Sequence, residues 1–141
     1  MLKDLICEAA KAAGIGEAEA RHAIGLIFNT ADRQASPLIE RVFAEVPGAH
    51  TLSATTGQRE GVAQGPIARL IEQTPGGRRH VTLTLFSRLH ACGLGHGEIS
   101  AVIAALGQFL ERHFNASAST LICDLFTSMD PVSEARTIAA A

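Results

Sequence analysis

Apolar residues recur at helical spacing in the first third of the chain and predict three helices. The first ends at Gly14, since glycine readily adopts the left-handed backbone of a helix C-terminus. The second runs to about Asp32, and the third begins at Ser36-Pro37, where a serine N-cap precedes proline at the first helical position. The three apolar stripes are Leu2, Leu5, Ile6, Ala9 and Ala13; Ala20, Ala23, Ile24, Ile27 and Phe28; and Leu38, Ile39, Val42 and Phe43.

The composition changes between Gly48 and Gly65, where threonine, serine, glycine and glutamine replace large apolar residues. We expect a connecting loop or a loosely attached helical turn there. Gly65-Pro66 then opens a two-turn helix with apolar residues at Ile67, Leu70 and Ile71, and Thr74-Pro75-Gly76-Gly77 closes it.

The second half of the chain carries further helical stripes. A long helix is predicted from Ile99 to Leu110 and a short one over 119–126, while residues 132–141 suit an eighth, fraying helix. Residues 81–86 alternate between apolar and polar types, as a strand does, and are ambiguous taken alone.

The two halves resemble each other, which indicates an internal duplication of a three-helix unit. Ser36–Phe43 matches Ser119–Phe126 in its cap, its apolar positions and its final phenylalanine. The hinge Gly14-Ile15-Gly16 likewise matches Gly93-Leu94-Gly95. On this interpretation Val81–Ala91 is a helix despite its alternation.

We therefore predict an all-α fold of seven to eight helices in one domain, residues 1–141. The repeat units would span 2–47 and 80–131, with 48–79 as connector, and would pack with approximate two-fold symmetry because neither unit has enough apolar surface alone. Gly25 and Gly107 occupy matching mid-helix positions. A close helix crossing at the pseudo-axis would explain both glycines.

The hinge, the Ile24-Gly25 step in the long helix and the Val46-Pro47-Gly48 ending of the third helix resemble the VcgC/VcgE-type family of uncharacterised bacterial proteins. The similar region runs from about Leu5 to Ser53, with a weaker echo from Leu85 to Phe126. The resemblance implies an all-helical fold and supplies no catalytic or binding residues.

Charge and cysteine content narrow the function classes. The chain has 14 acidic and 12 basic residues and a formal net charge of −2, so it lacks the positive field of a general nucleic-acid binder. Three widely spaced cysteines fit free thiols in a reducing compartment. No apolar run approaches the roughly 18–20 residues of a membrane span. We expect a soluble, cytoplasmic protein.

His90, Cys92 and His96 offer ligands of the types that Zn²⁺ and other late transition metals prefer. Their spacing contains no Cys-x-x-Cys or His-Glu-x-x-His pair, and they straddle the predicted second hinge. The alternative is that Cys92 packs as Ala13 does in the first unit, while both histidines are solvated or cap helix ends.

Gly76-Gly77-Arg78-Arg79-His80 is a second candidate site, a glycine turn with three cationic donors just before a helix. Backbone amides and the positive end of the helix dipole could hold an anion or an acidic partner, with Arg78 or Arg79 making bidentate contacts. The segment lacks the Gly-Lys-Ser/Thr ending of a P-loop. The alternative is a solvated linker.

The sequence favours a non-enzymatic interaction or regulatory module. No Gly-x-Ser-x-Gly elbow surrounds a serine, and we expect neither catalysis nor a cofactor. The partner would be an unidentified protein or a second copy in a homodimer, contacted through phenylalanine, leucine, isoleucine and arginine because tryptophan and tyrosine are absent. The alternative is binding of a metal or a small apolar, haem-like ligand near His90, Cys92 and His96.

Overall fold

A computed structural model describes residues 1–62 and 65–116, and this part of the chain is all-helical, with seven helices and no strand. The all-α prediction is confirmed, including the helical state of Val81–Ala91. The predicted helices over 119–126 and 132–141 lie outside the described residues. The helices are α1 (Leu2–Ala13), α2 (Glu17–Arg33), α3 (Pro37–Glu45), α4 (Ala49–Arg59), α5 (Pro66–Glu72), α6 (Pro75–Ala91) and α7 (His96–Phe114).

The predicted helix ends are confirmed where cap residues mark them. Gly14 ends α1 in the left-handed conformation with φ of 67°. The Ser36 hydroxyl accepts a hydrogen bond from the backbone N–H of Ile39 at 3.4 Å, and Pro37 is the first residue of α3. Local chemistry therefore sets these boundaries.

The core forms where α1 packs against α7 and where α2 is enclosed by its neighbours. Helix α2 contacts α1, α3, α4, α6 and α7. Its Ile24 and Phe28 belong, with Leu5 of α1 and Phe109 of α7, to one buried apolar cluster. No single helix among the described residues is long and apolar enough to cross a membrane, and the pair α6 and α7, which passes that test together, is bent by 115°.

The prediction of a loop or a loosely attached helical turn between Gly48 and Gly65 is wrong, because residues Ala49–Arg59 form the helix α4, which packs on α2. Its buried residues, apart from Leu52, are small or polar, and they include Ser53, Thr56 and Gly57. A hydrophobic stripe is the main sequence signal of a buried helix, and this helix has almost none. Burial is instead achieved by close backbone approach to α2.

Two glycines, one in each helix, permit that approach. A Cβ at Gly25 of α2 would lie 2.2 Å from the Oγ1 atom of Thr56. A Cβ at Gly57 of α4 would lie 2.5 Å from the Nδ2 atom of Asn29. Gly25 therefore does mark a close helix crossing, and its partner is α4, in the predicted connector.

The two hinges share one backbone conformation. Gly14 and Gly93 both have positive φ, at 67° and 93°, and Gly16 and Gly95 are both extended N-caps of the helix that follows. The helix–hinge–helix step is therefore repeated. The third helix of the second unit lies outside the described residues, so the two-fold arrangement of whole units stays a prediction.

We predict that Gly25→Ala destabilises the protein by ~1–3 kcal/mol, because the new methyl group overpacks the α2–α4 contact. Adding Thr56→Ala removes the nearest side-chain atoms, so the double variant should lose less stability than the two single changes summed. Urea unfolding followed by circular dichroism measures the change in the free energy of unfolding for each single variant and for the double variant.

Gly97→Ala is the matched control, since a Cβ at Gly97 meets nothing within 4 Å and the residue is also helical. This control should be neutral or slightly stabilising, as alanine favours helix over glycine. Equal stability of the Gly25→Ala and Gly97→Ala variants would contradict the close-packing interpretation.

Candidate functional site

Helix α5 is docked on the C-terminal end of α2 through its polar side. Glu72 accepts two hydrogen bonds from the guanidinium group of Arg33, one of them from Nε to Oε2 at 2.8 Å, and these side chains are only 9% and 12% exposed. Arg69 donates to the backbone oxygen of Asp32 at 2.7 Å and to its carboxylate at 2.9 Å. These paired contacts fix the orientation of α5.

The opposite side of α5 carries its large apolar residues into solvent. Ile67, Leu70 and Ile71 are 74%, 70% and 61% exposed. The predicted two-turn helix is confirmed, but its apolar positions face away from the protein. We call these three residues the α5 apolar face. Contiguous exposed apolar side chains of this kind are typical of interaction sites.

The predicted anion site Arg78, Arg79 and His80 does not lie in a turn before a helix. Residues Pro75–Ala91 are one helix, so Gly76 and Gly77 belong to its first turn, and Thr74 is the N-cap whose hydroxyl accepts from the Gly77 N–H at 3.1 Å. The threonine-proline pair that was expected to close α5 instead starts α6. That cap already uses one amide of the expected anion cradle.

The start of α6 lies against the end of α5. A Cβ at Gly77 would be 1.8 Å from the backbone oxygen of Ile71, so only glycine fits there. The Nε atom of Arg78 donates to the backbone oxygen of Gln73 at 3.2 Å, while Arg79 and His80 are exposed. The cationic segment therefore flanks the C-terminal end of the α5 apolar face.

The predicted metal ligands His90, Cys92 and His96 are not brought together as one set. The rings of His90 and His96 are in edge contact, with centroids 5.2 Å apart, and His90 Nδ1 is 2.9 Å from the backbone oxygen of Leu94. Cys92 follows the last residue of α6 and lies beside different residues. The two histidines therefore meet across the hinge, and Cys92 belongs to a different group of possible ligands.

Cys92 instead joins His22 and Glu60. Within residues 1–62 and 65–116, this is the one group of at least three His, Cys, Asp or Glu residues whose ligand atoms all lie within 4.8 Å of one another. His22 Nε2 is 2.6 Å from Glu60 Oε1, and Arg88 Nε is 3.9 Å from Glu60 Oε2. His22 lies in α2, Glu60 directly follows α4, and Cys92 directly follows α6.

Sequence reasoning found Cys92 but missed His22 and Glu60. They are 38 residues apart, and Glu60 directly follows α4, the helix that the sequence did not predict. No motif spacing links the three residues. Their proximity depends on the packing of α2 on α4. The sequence signals of that packing are the two glycines at the contact, Gly25 and Gly57.

The pKa of the Cys92 thiol is raised above its ordinary value, first by the partial desolvation of this otherwise exposed side chain and then by the negative charge of Glu60. The thiol therefore stays protonated at neutral pH. A nucleophilic cysteine needs the opposite shift, so this environment does not favour covalent catalysis.

A cavity of about 220 Å³ lies between α2, α4 and α5. Asn29, Arg33, Ser53 and Arg69 line it, but Arg33 and Arg69 are already paired with the carboxylates of Glu72 and Asp32. The cavity is therefore part of the polar contact that holds α5, with its charges largely compensated.

No protein-family model matches the chain, and no curated protein or solved structure is significantly similar to it.

We predict that Glu60→Gln lowers the pKa of Cys92, because it removes the negative charge that helps to raise it. Alkylation requires the thiolate, so the pH midpoint of the iodoacetamide rate should move to lower pH. A Cys7→Ser/Cys123→Ser background leaves Cys92 as the single thiol. Glu45→Gln, an exposed carboxylate on α3, is the control. An unchanged midpoint in Glu60→Gln contradicts the electrostatic coupling.

We predict that Glu72→Ala releases α5 from α2, because it leaves the guanidinium of Arg33 nearly buried without its partner. Amide hydrogen exchange over residues 66–73 should accelerate at least about tenfold, or ~1.4 kcal/mol, while the amides of α1 and α7 keep their protection. Glu45→Ala provides an exposed glutamate for comparison. Unchanged exchange over 66–73 would show that the ion pair does not hold α5.

Proposed function

We propose that the protein is a non-enzymatic interaction module that binds an acidic, amphipathic helical segment of a partner protein through the α5 apolar face. The observation that supports this most directly is the inverted orientation of α5. Its polar residues are used for internal docking, and its isoleucines and leucine are presented to solvent.

The shape of the surface suits a helical partner. Ile67, Leu70 and Ile71 follow the i, i+3, i+4 spacing of one helix face, the pattern with which helices pack on one another. Burying exposed apolar surface is favourable by roughly 25 cal/mol per Å². None of these three side chains packs in the core. Substitutions at these positions can therefore change binding without destabilising the fold.

Charge favours an acidic partner over a second copy of the chain. Between residues 65 and 83 the one carboxylate is Glu72, which is paired with Arg33, whereas Arg78, Arg79 and His80 flank the apolar face. A two-fold dimer puts the same patch on both sides of the interface. A dimer would therefore bring two cationic segments towards each other, and they would repel. Acidic residues on a different protein would instead attract the cationic segment.

Two further features support this proposal. The raised pKa of Cys92 is the wrong direction for a catalytic nucleophile. The free thiols of Cys7 and Cys92 suit a reducing, cytoplasmic setting for the module.

We predict that Ile67→Ser/Leu70→Ser weakens partner binding without unfolding the protein. Exposed side chains contribute little to folding, so the free energy of unfolding should change by less than ~0.5 kcal/mol per site. A photo-crosslinking residue at position 70 of the full-length protein identifies the contacted segment in cells. A synthetic peptide of that segment then gives Kd by fluorescence anisotropy.

The serine variant should weaken peptide binding at least about tenfold, and Arg78→Glu/Arg79→Glu should weaken it and flatten its salt dependence. Lys11→Glu, on the exposed side of α1, is the matched charge control. Crosslinking to a second copy, a partner segment without acidic residues, or unchanged affinity of the serine variant would overturn the proposal.

A further inference from the structure

We propose that His22, Glu60 and Cys92 form a binding site for one divalent transition-metal ion, with Zn²⁺ the best match to the three ligands. This site is separate from the α5 apolar face and shares no residue with it. It goes beyond the interaction function, and either proposal can fail without the other.

The donor set has the right chemistry and charge for Zn²⁺. An imidazole nitrogen, a carboxylate oxygen and a thiolate sulfur are the three ligand types that zinc uses in proteins. Neutral His22 with the anions of Glu60 and Cys92 supplies two negative charges, which balance the two positive charges of the ion. On binding, the thiol proton leaves to solvent, and His22 ligates through Nε2 as the neutral tautomer whose one ring proton is on Nδ1.

The geometry needs only a small adjustment. With metal–ligand bonds of about 2.0–2.3 Å, neighbouring ligand atoms of a tetrahedral zinc site lie roughly 3.3–3.6 Å apart. His22 Nε2 and Glu60 Oε1 are now 2.6 Å apart, as a hydrogen-bonded pair, and every pair in the group is within 4.8 Å. An ion in place of this hydrogen bond would push His22 and Glu60 slightly apart and draw in the sulfur.

The position of Cys92 makes that movement feasible. Cys92 lies between the last residue of α6 and Gly93, whose left-handed backbone forms the hinge before α7, and no atom approaches Gly93 closely on the side of a Cβ. The side chain is exposed, so it moves without displacing core atoms. His22 and Glu60 are half-buried and hold the other two ligand positions in place.

The two carboxylate oxygens of Glu60 face different neighbours. Arg88 Nε approaches Glu60 Oε2 at 3.9 Å, on the other oxygen from the one that contacts His22. At this distance Arg88 is an ion-pair partner and not a hydrogen-bond donor, and it leaves Oε1, the oxygen beside His22, as the ligand atom. The exposed side of the site leaves a fourth position to water, which gives an open site with three protein ligands.

The test uses full-length protein, treated with chelator, reduced with a phosphine and titrated with CoCl₂. Cobalt(II) bound to a thiolate gives a near-ultraviolet charge-transfer band. We expect this band to saturate at one equivalent and to disappear when ZnCl₂ displaces cobalt. Absence of the band in the unmodified protein overturns the proposal.

Cys92→Ser should remove the band and weaken cobalt binding at least about tenfold, since even the loss of an outer-shell partner costs 10–100-fold. Because Cys92 is exposed, this variant should keep the melting temperature of the metal-free protein. It should also lose the rise in Tm that ZnCl₂ gives the unmodified protein. A band that survives in Cys92→Ser overturns the assignment.

Matched variants separate this site from the alternatives. Cys7→Ser removes a thiol on α1, and His90→Gln/His96→Gln removes the ring pair at the hinge. Both should bind cobalt as the unmodified protein does, and so should Ile67→Ser/Leu70→Ser. His22→Gln should lose binding, with circular dichroism to verify its fold. Loss of the band in the His90/His96 variant would place the metal elsewhere and overturn this assignment.

Discussion

The close approach of α4 to α2 is the constraint on which both candidate sites depend. Gly25 leaves room for Thr56, and Gly57 leaves room for Asn29, so each helix accepts a side chain of the other. The same α2–α4 contact brings Glu60, the residue after α4, to His22 on α2. It also places Gly57 and Ser53 in the wall of the cavity beneath α5. Because the contact is made by small and polar residues, its stability comes from close packing and hydrogen bonding more than from hydrophobic area.

The α2–α4 contact also explains which helices and site residues can be predicted from the sequence and which cannot. Helices α1, α2 and α3 follow from apolar stripes and cap residues, because those helices bury hydrophobic faces and end at Gly14 and Ser36-Pro37. Helix α4 buries a face that no hydrophobicity pattern marks. Cys92 was identifiable from its residue type, but its neighbours come from positions 22 and 60, whose meeting is a tertiary effect.

Helix α5 shows a second limit, since periodicity gives the helix but not which side faces inward. An apolar stripe normally packs on the core. Here the carboxylate of Glu72 and the guanidinium of Arg33 form a nearly buried pair, and Arg69 pairs with Asp32 beside it. Ion pairs of this kind contribute little net stability after desolvation, but their directional hydrogen bonds can specify one orientation. That orientation leaves the α5 apolar face unburied in the isolated chain.

The two sites lie at opposite ends of the same pair of helices. Helix α2 carries His22 in its second turn and Arg33 at its last residue, about 16 Å further on at 1.5 Å per residue. The first turn of helix α6 contains Gly77, which lies against α5, and Cys92 follows the helix at its other end. A metal ion on His22, Glu60 and Cys92 would therefore join α2 to α6 at one end, while the Arg33–Glu72 pair and the Gly77 contact join them through α5 at the other. Helices α2 and α6 also contact each other directly. Connections at both ends would restrict sliding between the two helices and hold the α5 apolar face in one position. A surface held in this way costs less entropy to order when a partner binds.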